Sequence, residues 1–534
     1  MAIFKSAAAE ILRVPGDFAT IQGALSASAS GDTVIVSPGV FVESVTVPAR
    51  NLMIVGEIGQ DSIENERAVI DPTDLPGSDT LGCLVLTGGT IEIRNMVFRN
   101  RSPMRENRQD SRTGGVQGSS NVVSATFTDC TFDSTFVGIR GLRRTVLNEC
   151  NFVGCFERCV STHIQGRLYA FDTDFECLTG NIVLWVRGGG RLEDCRVMSS
   201  ARGSLLTGLG DSLSVLRCEF FASDSLDGSA LTIRPRCNSE VRDCLFSGLS
   251  VGGSVVEVVD TCFGQLKENA CAIELSGNRF IDCGSGSSDL GGGEMLRVHC
   301  AAGGNGFLAR IDSTIVDSTR RIAGDATGFL LQAGCEVLHN RFRPTLLGNR
   351  PQVYVSCDTG VDTIFLRGND FVHSLPGVKH VENEESRIDA RNNWWGDATG
   401  PYHFDRNPNG QGAEVGDNVL FAPWSLLPHD TTADSNSVSF DSPSPFRPES
   451  CTLSAYPTPF NAVTTLVITV ARAGEYEVKL FDVMGRESTV LYDGYLSGQT
   501  QVSVNANWLP SGVYFAVLSR ATETLAVTKL LLLK

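Results

Sequence analysis

Apolar and polar positions alternate in short runs along most of the chain. SATFTDC (124–130), TVLNEC (145–150), SLSVLRC (212–218) and SEVRDC (239–244) follow a period of two, which predicts half-buried strands rather than helices. Each run ends at a polar or small residue, and a second short strand then carries a large apolar residue. A further apolar run lies upstream in each unit, as in VGIRG (137–141), CVSTHI (159–164), IVLWV (182–186), SALTI (229–233) and QVYVS (352–356).

The large apolar residues form a series: Phe98, Phe132, Phe152, Phe175, Val197, Phe220, Phe246, Phe280, Ile315, Phe342, Phe371 and Trp394. Two positions before them stand Met96, Cys130, Cys150, Thr173, Cys195, Cys218, Cys244, Asn278, Ser313, Asn340, Asn369 and Asn392. The steps run from 20 residues (Phe132 to Phe152) to 35 (Phe280 to Ile315). Fixed local spacing with a variable period marks a solenoid whose loops differ from coil to coil. Three short strands per turn with no interleaved helix predict a parallel β-helix. Equivalent residues then stack about 4.8 Å apart along the axis. The residue at the bend between the second and third strands points inward and meets its own copies. Cysteine suits that place because it is small and readily buried, and asparagine because it can hydrogen-bond along a ladder. Cys130, Cys150, Cys195, Cys218 and Cys244 are therefore expected to be buried, reduced and in one column, with metal or redox chemistry as the alternative.

The ends differ from the middle. Residues 14–55 begin with an amphipathic helical stretch in which Ile21 and Leu25 share a face and Thr20 is a candidate N-cap. GDTVIVSPGVFVESVTV follows. This stretch resembles the N-terminal cap of pectate-lyase-like right-handed β-helix proteins, and NNWWGDATGPYHFDRNPNGQGAEVGDNVLFAPW (392–424) looks like the terminal motif of many of them. The resemblance implies a right-handed solenoid over 14–425, with Trp394, Trp395 and Trp424 as apolar plugs. Residues 426–451 are rich in Ser, Asp and Pro and read as a linker. Six or seven short strands then fill 452–534, as in an Ig-like β-sandwich. SAYPTPFNAVTTLVITV places Tyr456, Pro457, Pro459, Phe460, Asn461, Thr464 and Thr465 on the opening motif of type IX secretion sorting domains, with Ala462 where that motif has Pro; LFDVMGRE, LPSGVYF and KLLLLK also match. That resemblance implies the type IX secretion machinery as a partner, and a location outside a Gram-negative cell or on its outer-membrane surface. Residues 1–13 carry no apolar stretch long enough for a signal peptide and read as a leader remnant or a disordered leader.

Composition narrows the function. The 534 residues are 42% hydrophobic and 20% charged, with net charge −17 and 55 glycines. Such a chain is globular, and its acidity argues against nucleic acid as a partner. No run of 18 or more apolar residues offers a transmembrane helix. The odd count of 17 cysteines, without a CxxC pair, gives little support to a structural zinc site.

In the family resembled, ligands lie in a groove along the first strand of each coil. Ten positions before the ladder residue stand Arg140, His163, Trp185, Gly208 and Arg234; eight before stand Leu142, Gln165, Arg187, Gly210 and Arg236. In register, Arg140, His163, Trp185, Arg187, Arg234 and Arg236 form a cationic strip around one indole. Guanidinium forks bind carboxylates and an indole face can stack on a sugar ring, so an acidic extracellular polysaccharide is the expected ligand; ordinary solvated arginines paired with nearby acids are the alternative. Glu257, Asp260, Arg297 and His299 could extend the strip. A lyase of this fold would use an Arg or Lys base and commonly Ca²⁺, a cofactor that the resemblance alone suggests; a hydrolase would need two facing carboxylates. No catalytic residue stands out. The expectation is a secreted or surface-displayed protein that binds, and possibly cleaves, a polysaccharide, against a non-catalytic structural protein or adhesin.

Overall fold

The computed structural model describes residues 9–59, 67–101, 114–118, 123–180, 182–200, 202–210, 212–235, 239–260, 272–285, 294–300, 308–318, 328–332, 335–344, 351–355, 364–372, 376–380, 388–429, 452–456, 460–461, 463–470, 474–482, 486–496, 499–506, 509–520 and 523–533. Two compact units divide at Asp434/Ser435.

In the first unit each coil contributes one strand to each of three long parallel sheets, of 13, 16 and 12 strands. One coil shows the order: Val137–Arg140 in the first sheet, Arg144–Asn148 in the second, Asn151–Cys155 in the third. The inner faces of all three sheets bury one continuous apolar core. Each strand is short, but every strand inside a sheet has a partner above and below, so the ladder of backbone bonds is completed between coils rather than within them.

The corner between the second and third sheets repeats almost residue for residue. A residue with positive φ comes first: Asp129 (51°), Glu149 (54°), Asp172 (47°), Asp194 (54°), Arg217 (49°) and Asp243 (55°) in successive coils. The inward ladder residue follows. The next coils place Gly277 (φ 65°) at the same point, where a Cβ would lie 2.2 Å from the Asp243 carboxylate. Aspartate, at four of these six places, suits the corner because its short polar side chain tolerates the left-handed conformation better than β-branched ones do. The ladder cysteines Cys130, Cys150, Cys195, Cys218 and Cys244 are free and buried. Each Sγ donates to backbone carbonyls; Cys195 meets Ala170 O (3.5 Å) and Glu193 O (3.3 Å). In the later coils asparagine takes over. Asn340 Oδ1 accepts from Thr314 N, Asn369 Oδ1 from Asn340 N, and Asn393 Oδ1 from Asn369 N, at 2.8–2.9 Å.

Behind the ladder the third-sheet phenylalanines stack, with centroids 4.3 Å apart for Phe132–Phe152 and 5.0 Å for Phe220–Phe246. Two anchors sit one residue later than the sequence pattern suggests. Phe280 pairs with Val316, not Ile315, and Phe371 stacks on Trp395 at 4.7 Å, not Trp394; the inward ladder residues are accordingly Thr314 and Asn393. Counting by residue type picked the wrong neighbour where two apolar residues adjoin, and a one-residue slip exchanges the two faces of a strand. Trp395 is fully buried, while Trp424 packs at the edge of the core and donates Nε1–H to Ala398 O at 3.1 Å.

Helix α1 (Ile21–Ala27) covers the N-terminal end. Thr20 Oγ1 accepts from Gly23 N, and the Glu43 carboxylate accepts from Ile21 N and Gln22 N at 3.0 Å, which satisfies the free donors of its first turn. Ile21, Ala24 and Leu25 are buried. One boundary shifts: Ile11–Val14 is a strand of the second sheet, paired with Thr33–Val36, so the ordered solenoid begins inside the stretch 1–13 that its composition marks as a leader. Residues 1–8 lie outside the described residues.

The second unit is antiparallel. Thr452–Tyr456, Val463–Thr469 and Gln499–Asn505 form a three-stranded sheet; Glu487–Leu496, Gly474–Asp482, Gly512–Arg520 and Glu523–Leu532 form a four-stranded one. Leu466 and Ile468 of the one and Val478, Leu480, Ala516, Leu518 and Leu530 of the other share a core, the arrangement of a β-sandwich. Phe460 joins that core and bonds to the last strand beside Leu531 and Leu533.

Candidate functional site

The outward face of the first sheet is defined by its register. Gln117 pairs with Arg140, Arg140 with Ser161, Ser161 with Trp185, Trp185 with Thr207, Thr207 with Thr232, Thr232 with Glu257, and Glu257 with Arg297. The row continues through Leu330 and Tyr354 to Lys379. A second row lies two residues further along each strand. Leu209 pairs there with Arg234, and Val259 with His299; His163 and Arg187 hold the same place relative to Ser161 and Trp185.

The single strip expected from counting back is therefore two rows. Arg140 and Trp185 belong to the first; His163, Arg187 and Arg234 belong to the second. Arg236 lies outside the described residues. Gly208 and Leu142, counted as outward, are buried. The reason is loop length. From the first row to the ladder residue the chain takes 10 residues in the coil of Arg140 and Cys150, 12 in that of Ser161 and Thr173, and 11 in that of Thr207 and Cys218. A fixed count slides across the sheet as the turn after it lengthens. Glu257, Arg297 and His299 do extend the rows.

Trp185 is the centre of the site. The Arg187 guanidinium carbon lies 3.9 Å from the indole centroid and that of Arg158 lies 4.6 Å from it. Arg158 was not legible as a site residue: it opens its strand opposite Val137, a buried position, and reaches the indole only because the next coil places Trp185 beside it. With two guanidiniums over the ring, the indole is already engaged in cation–π contacts.

The charge is poorly compensated. Arg158 pairs with Glu157 at 3.1 Å. Burial lowers its pKa, Glu157 opposes that, and the positive charge of Arg140 adds to the lowering. Burial lowers the pKa of Arg187 too, reinforced by Arg158 and Arg140; no acid contributes. Arg158 Nε, Trp185 Nε1 and Arg187 Nε are buried without hydrogen-bond partners, three of the eight such side-chain atoms among the described residues. A buried donor without an acceptor costs about 1–3 kcal/mol. Several arginines elsewhere on the solenoid sit on acids: Arg217 on Glu193 and Asp194, Arg99 on Asp133, Arg196 on Glu219, Arg367 and Arg391 on Asp389.

Around this centre, His163 Nδ1 accepts from Gln165 N at 3.4 Å, and Thr162 Oγ1 accepts from Arg187 N at 2.9 Å. Further up, Glu257 accepts from Ser229 Oγ at 3.0 Å, Arg297 donates to Gln332 Oε1 at 3.1 Å, and His299 Nδ1 is buried without a partner. Among the described residues no three His, Cys, Asp or Glu side chains converge as a metal site would require, so the donor set for Ca²⁺ that the family resemblance suggests is not found among them. No helix among them is long and apolar enough to cross a membrane.

Residues 454–533 match the secretion system C-terminal sorting domain, so the chain ends in the tail of a secreted or cell-surface protein. No curated protein matches the chain. Among solved structures it is similar to the catalytic domain of an alpha-1,3-glucanase in complex with nigerose (9% identity, 79% of this chain and 69% of that one, TM-score 0.32). It is also similar to a tailspike protein of Acinetobacter baumannii bacteriophage Fri1, a capsular polysaccharide depolymerase (12%, 98% and 78%, TM-score 0.30). A third is a polygalacturonase from Erwinia carotovora (10%, 72% and 96%, TM-score 0.25).

Proposed function

We propose that the protein binds an acidic polysaccharide outside the cell, along the outward face of the first sheet, after export by the type IX machinery to the outside or the outer-membrane surface of a Gram-negative bacterium. The observation that carries this reading is the pair of guanidiniums, Arg158 and Arg187, held over Trp185 on a protein of net charge −17. Folding gains nothing from placing like charges together in a half-dry site; a polyanion supplies the missing counter-charge. The rows run along the solenoid, so a linear ligand can follow them. From Arg140 to Arg234 the coils rise four rungs, about 19 Å, the length of a few sugar residues.

The described residues of the two rows hold one carboxylate, Glu257. A hydrolase needs two facing one another across the bond. Binding is therefore the activity that the geometry supports.

The test is a panel of neutral and acidic polysaccharides, read for binding, for new reducing ends and for absorbance of unsaturated products. Binding to acidic members should weaken several-fold in Arg234→Ala and as salt rises, because exposed charges are screened over about 8–10 Å at ordinary ionic strength. Equal binding to neutral and acidic members, or to none, would refute it. Product release from any member would add cleavage to the reading.

A further inference from the structure

We infer that Arg158, Trp185 and Arg187 form a subsite for one compact oxyanion, a carboxylate or sulfate ester carried on a sugar ring, in which Trp185 positions the two guanidiniums and does not itself stack on the sugar. This rests on the proposed polysaccharide reading for its source of ligand, but not for its geometry.

Three observations meet here. Arg187 and Arg158 hold their guanidinium carbons 3.9 and 4.6 Å from the same indole centroid, so two flexible side chains are fixed in place before a ligand arrives. Arg187 has no ion pair among the described residues and Arg158 has only Glu157, whereas Arg196, Arg217, Arg310 and Arg367 each sit on an acid of the same or the adjoining coil. The Nε groups of both arginines and Trp185 Nε1 have no acceptor. A site that is dry, positively charged and short of acceptors is complementary to a small anion with several oxygens. Trp185 lies in the strand Ile182–Val186, Arg187 follows directly after that strand, and Arg158 opens the strand one rung away, about 4.8 Å along the axis. Both guanidiniums lie within 4.6 Å of one indole centroid, which suits a single charged substituent rather than a chain of them. Arg140, two rungs from Trp185 through Ser161, would meet the next charged residue of the same polymer.

The support role of Trp185 separates this proposal from simple stacking. Phenylalanine keeps an aromatic face for the guanidiniums, whereas alanine does not. The experiment uses the full chain and four variants, Arg158→Gln, Arg187→Gln, Trp185→Phe and Trp185→Ala, with Arg144→Gln as a control on the outer side of the second sheet. Thermal melting confirms that each is folded. Calorimetry then measures glucuronate, glucose 6-sulfate and neutral glucose, followed by polymers bearing carboxylates or sulfates. The carboxylate and sulfate arms tell the two ligand sources apart. Expected are a charged-sugar preference in the wild type, at least tenfold loss in Arg158→Gln, Arg187→Gln and Trp185→Ala, and retention within about threefold in Trp185→Phe and Arg144→Gln.

If the acidic polymers bind and Arg158→Gln and Arg187→Gln leave both polymer and charged sugar within twofold, the subsite is overturned while the wider reading survives. If the charged sugars bind and the variants abolish it, but no polymer binds, the subsite stands and the polysaccharide reading falls. Absence of both removes both. Equal loss in Trp185→Phe and Trp185→Ala would overturn the support role of the indole.

Discussion

At the ladder each side chain meets the ladder residue of the next coil, often one of its own kind, so its chemistry is set by what that neighbour can accept or donate. Asn369 shows it fully: Oδ1 accepts from Asn340 N at 2.9 Å and Nδ2 donates to Val337 O at 2.9 Å. Asn369→Ala leaves both partners buried and unmatched, and about 2–4 kcal/mol of stability is expected to go, measured as a lower midpoint in urea. Cys218 sits where only weak sulfur contacts are made, to Leu216 O at 3.2 Å. Alanine should be tolerated there far better than in the asparagine segment, while Cys218→Arg places an uncompensated charge in the stack and should cost several kcal/mol. Equal losses in Asn369→Ala and Cys218→Ala would show that the amide ladder contributes no more than packing. The same logic separates the two kinds of arginine. Where a carboxylate is within reach, as for Arg217, the guanidinium pKa is pushed up; where an indole and other guanidiniums are the neighbours, as for Arg187, it is lowered.

At the scale of an element, the buried thiols, in the ladder and beside it, act together. Burial pushes Cys283 up to about 12 and Cys177 up to about 11, and raises Cys150, Cys195 and Cys218 as well. In the unfolded chain these thiols ionise near pH 8.5. Above that pH the unfolded state binds fewer protons than the folded one, so stability falls as pH rises; below it the contribution is fully present. Each thiol contributes a slope of about 1.4 kcal/mol per pH unit between its unfolded and folded values. The solenoid is expected to melt at progressively lower temperature from about pH 8.5 to 11, and a Cys195→Ala, Cys218→Ala double variant should show a shallower decline. A parallel decline in the two proteins would mean that the ladder does not govern alkaline stability. The first sheet shows a different collective property. Its outward rows are continuous because neighbouring strands pair in parallel register, and turn length varies without disturbing that pairing. This is how a continuous outward face coexists with coils of 20 residues (Phe132 to Phe152) to 36 (Phe280 to Val316).

At the scale of the whole molecule, two kinds of β-structure share one chain. Among the described residues the three main sheets of the long unit pair only in parallel and the two sheets of the tail only antiparallel, with one parallel bridge of Phe460 to Leu532 beside them. Each has its own core, so each should withstand proteolysis by itself. The stretch 426–450, LLPHDTTADSNSVSFDSPSPFRPES, is rich in Ser, Asp and Pro. Limited proteolysis is expected to cut within it and leave two resistant fragments, of which the smaller retains the matched residues 454–533. Recovery of a single resistant fragment that crosses 426–450 would contradict that division. On a chain of net charge −17, the outward rows of the first sheet that carry Arg140, His163, Arg187 and Arg234 are a local reversal of sign.

Local rules settled most of the architecture. Period-two runs, a cysteine or asparagine two places before an apolar residue, and the GDTV and PTPFN stretches fixed fold class, ladder and tail, because each depends on neighbours in sequence. The alternation of Phe132, Phe152 and Phe220 with their corner residues needed no knowledge of the next coil. Register across coils was different. It depends on how many residues each turn inserts, and these vary from 10 to 12 between row and ladder even among adjacent coils. Hence Ile315 and Trp394 gave way to Val316 and Trp395, and one strip of arginines resolved into two rows. The residue types at the site, Arg140, Trp185 and Arg187, were legible; their company was not. Arg158 reads as a strand-opening residue until the following coil brings Trp185 within 4.6 Å of it, because a contact between coils is made by stacking and leaves no fixed spacing in the chain.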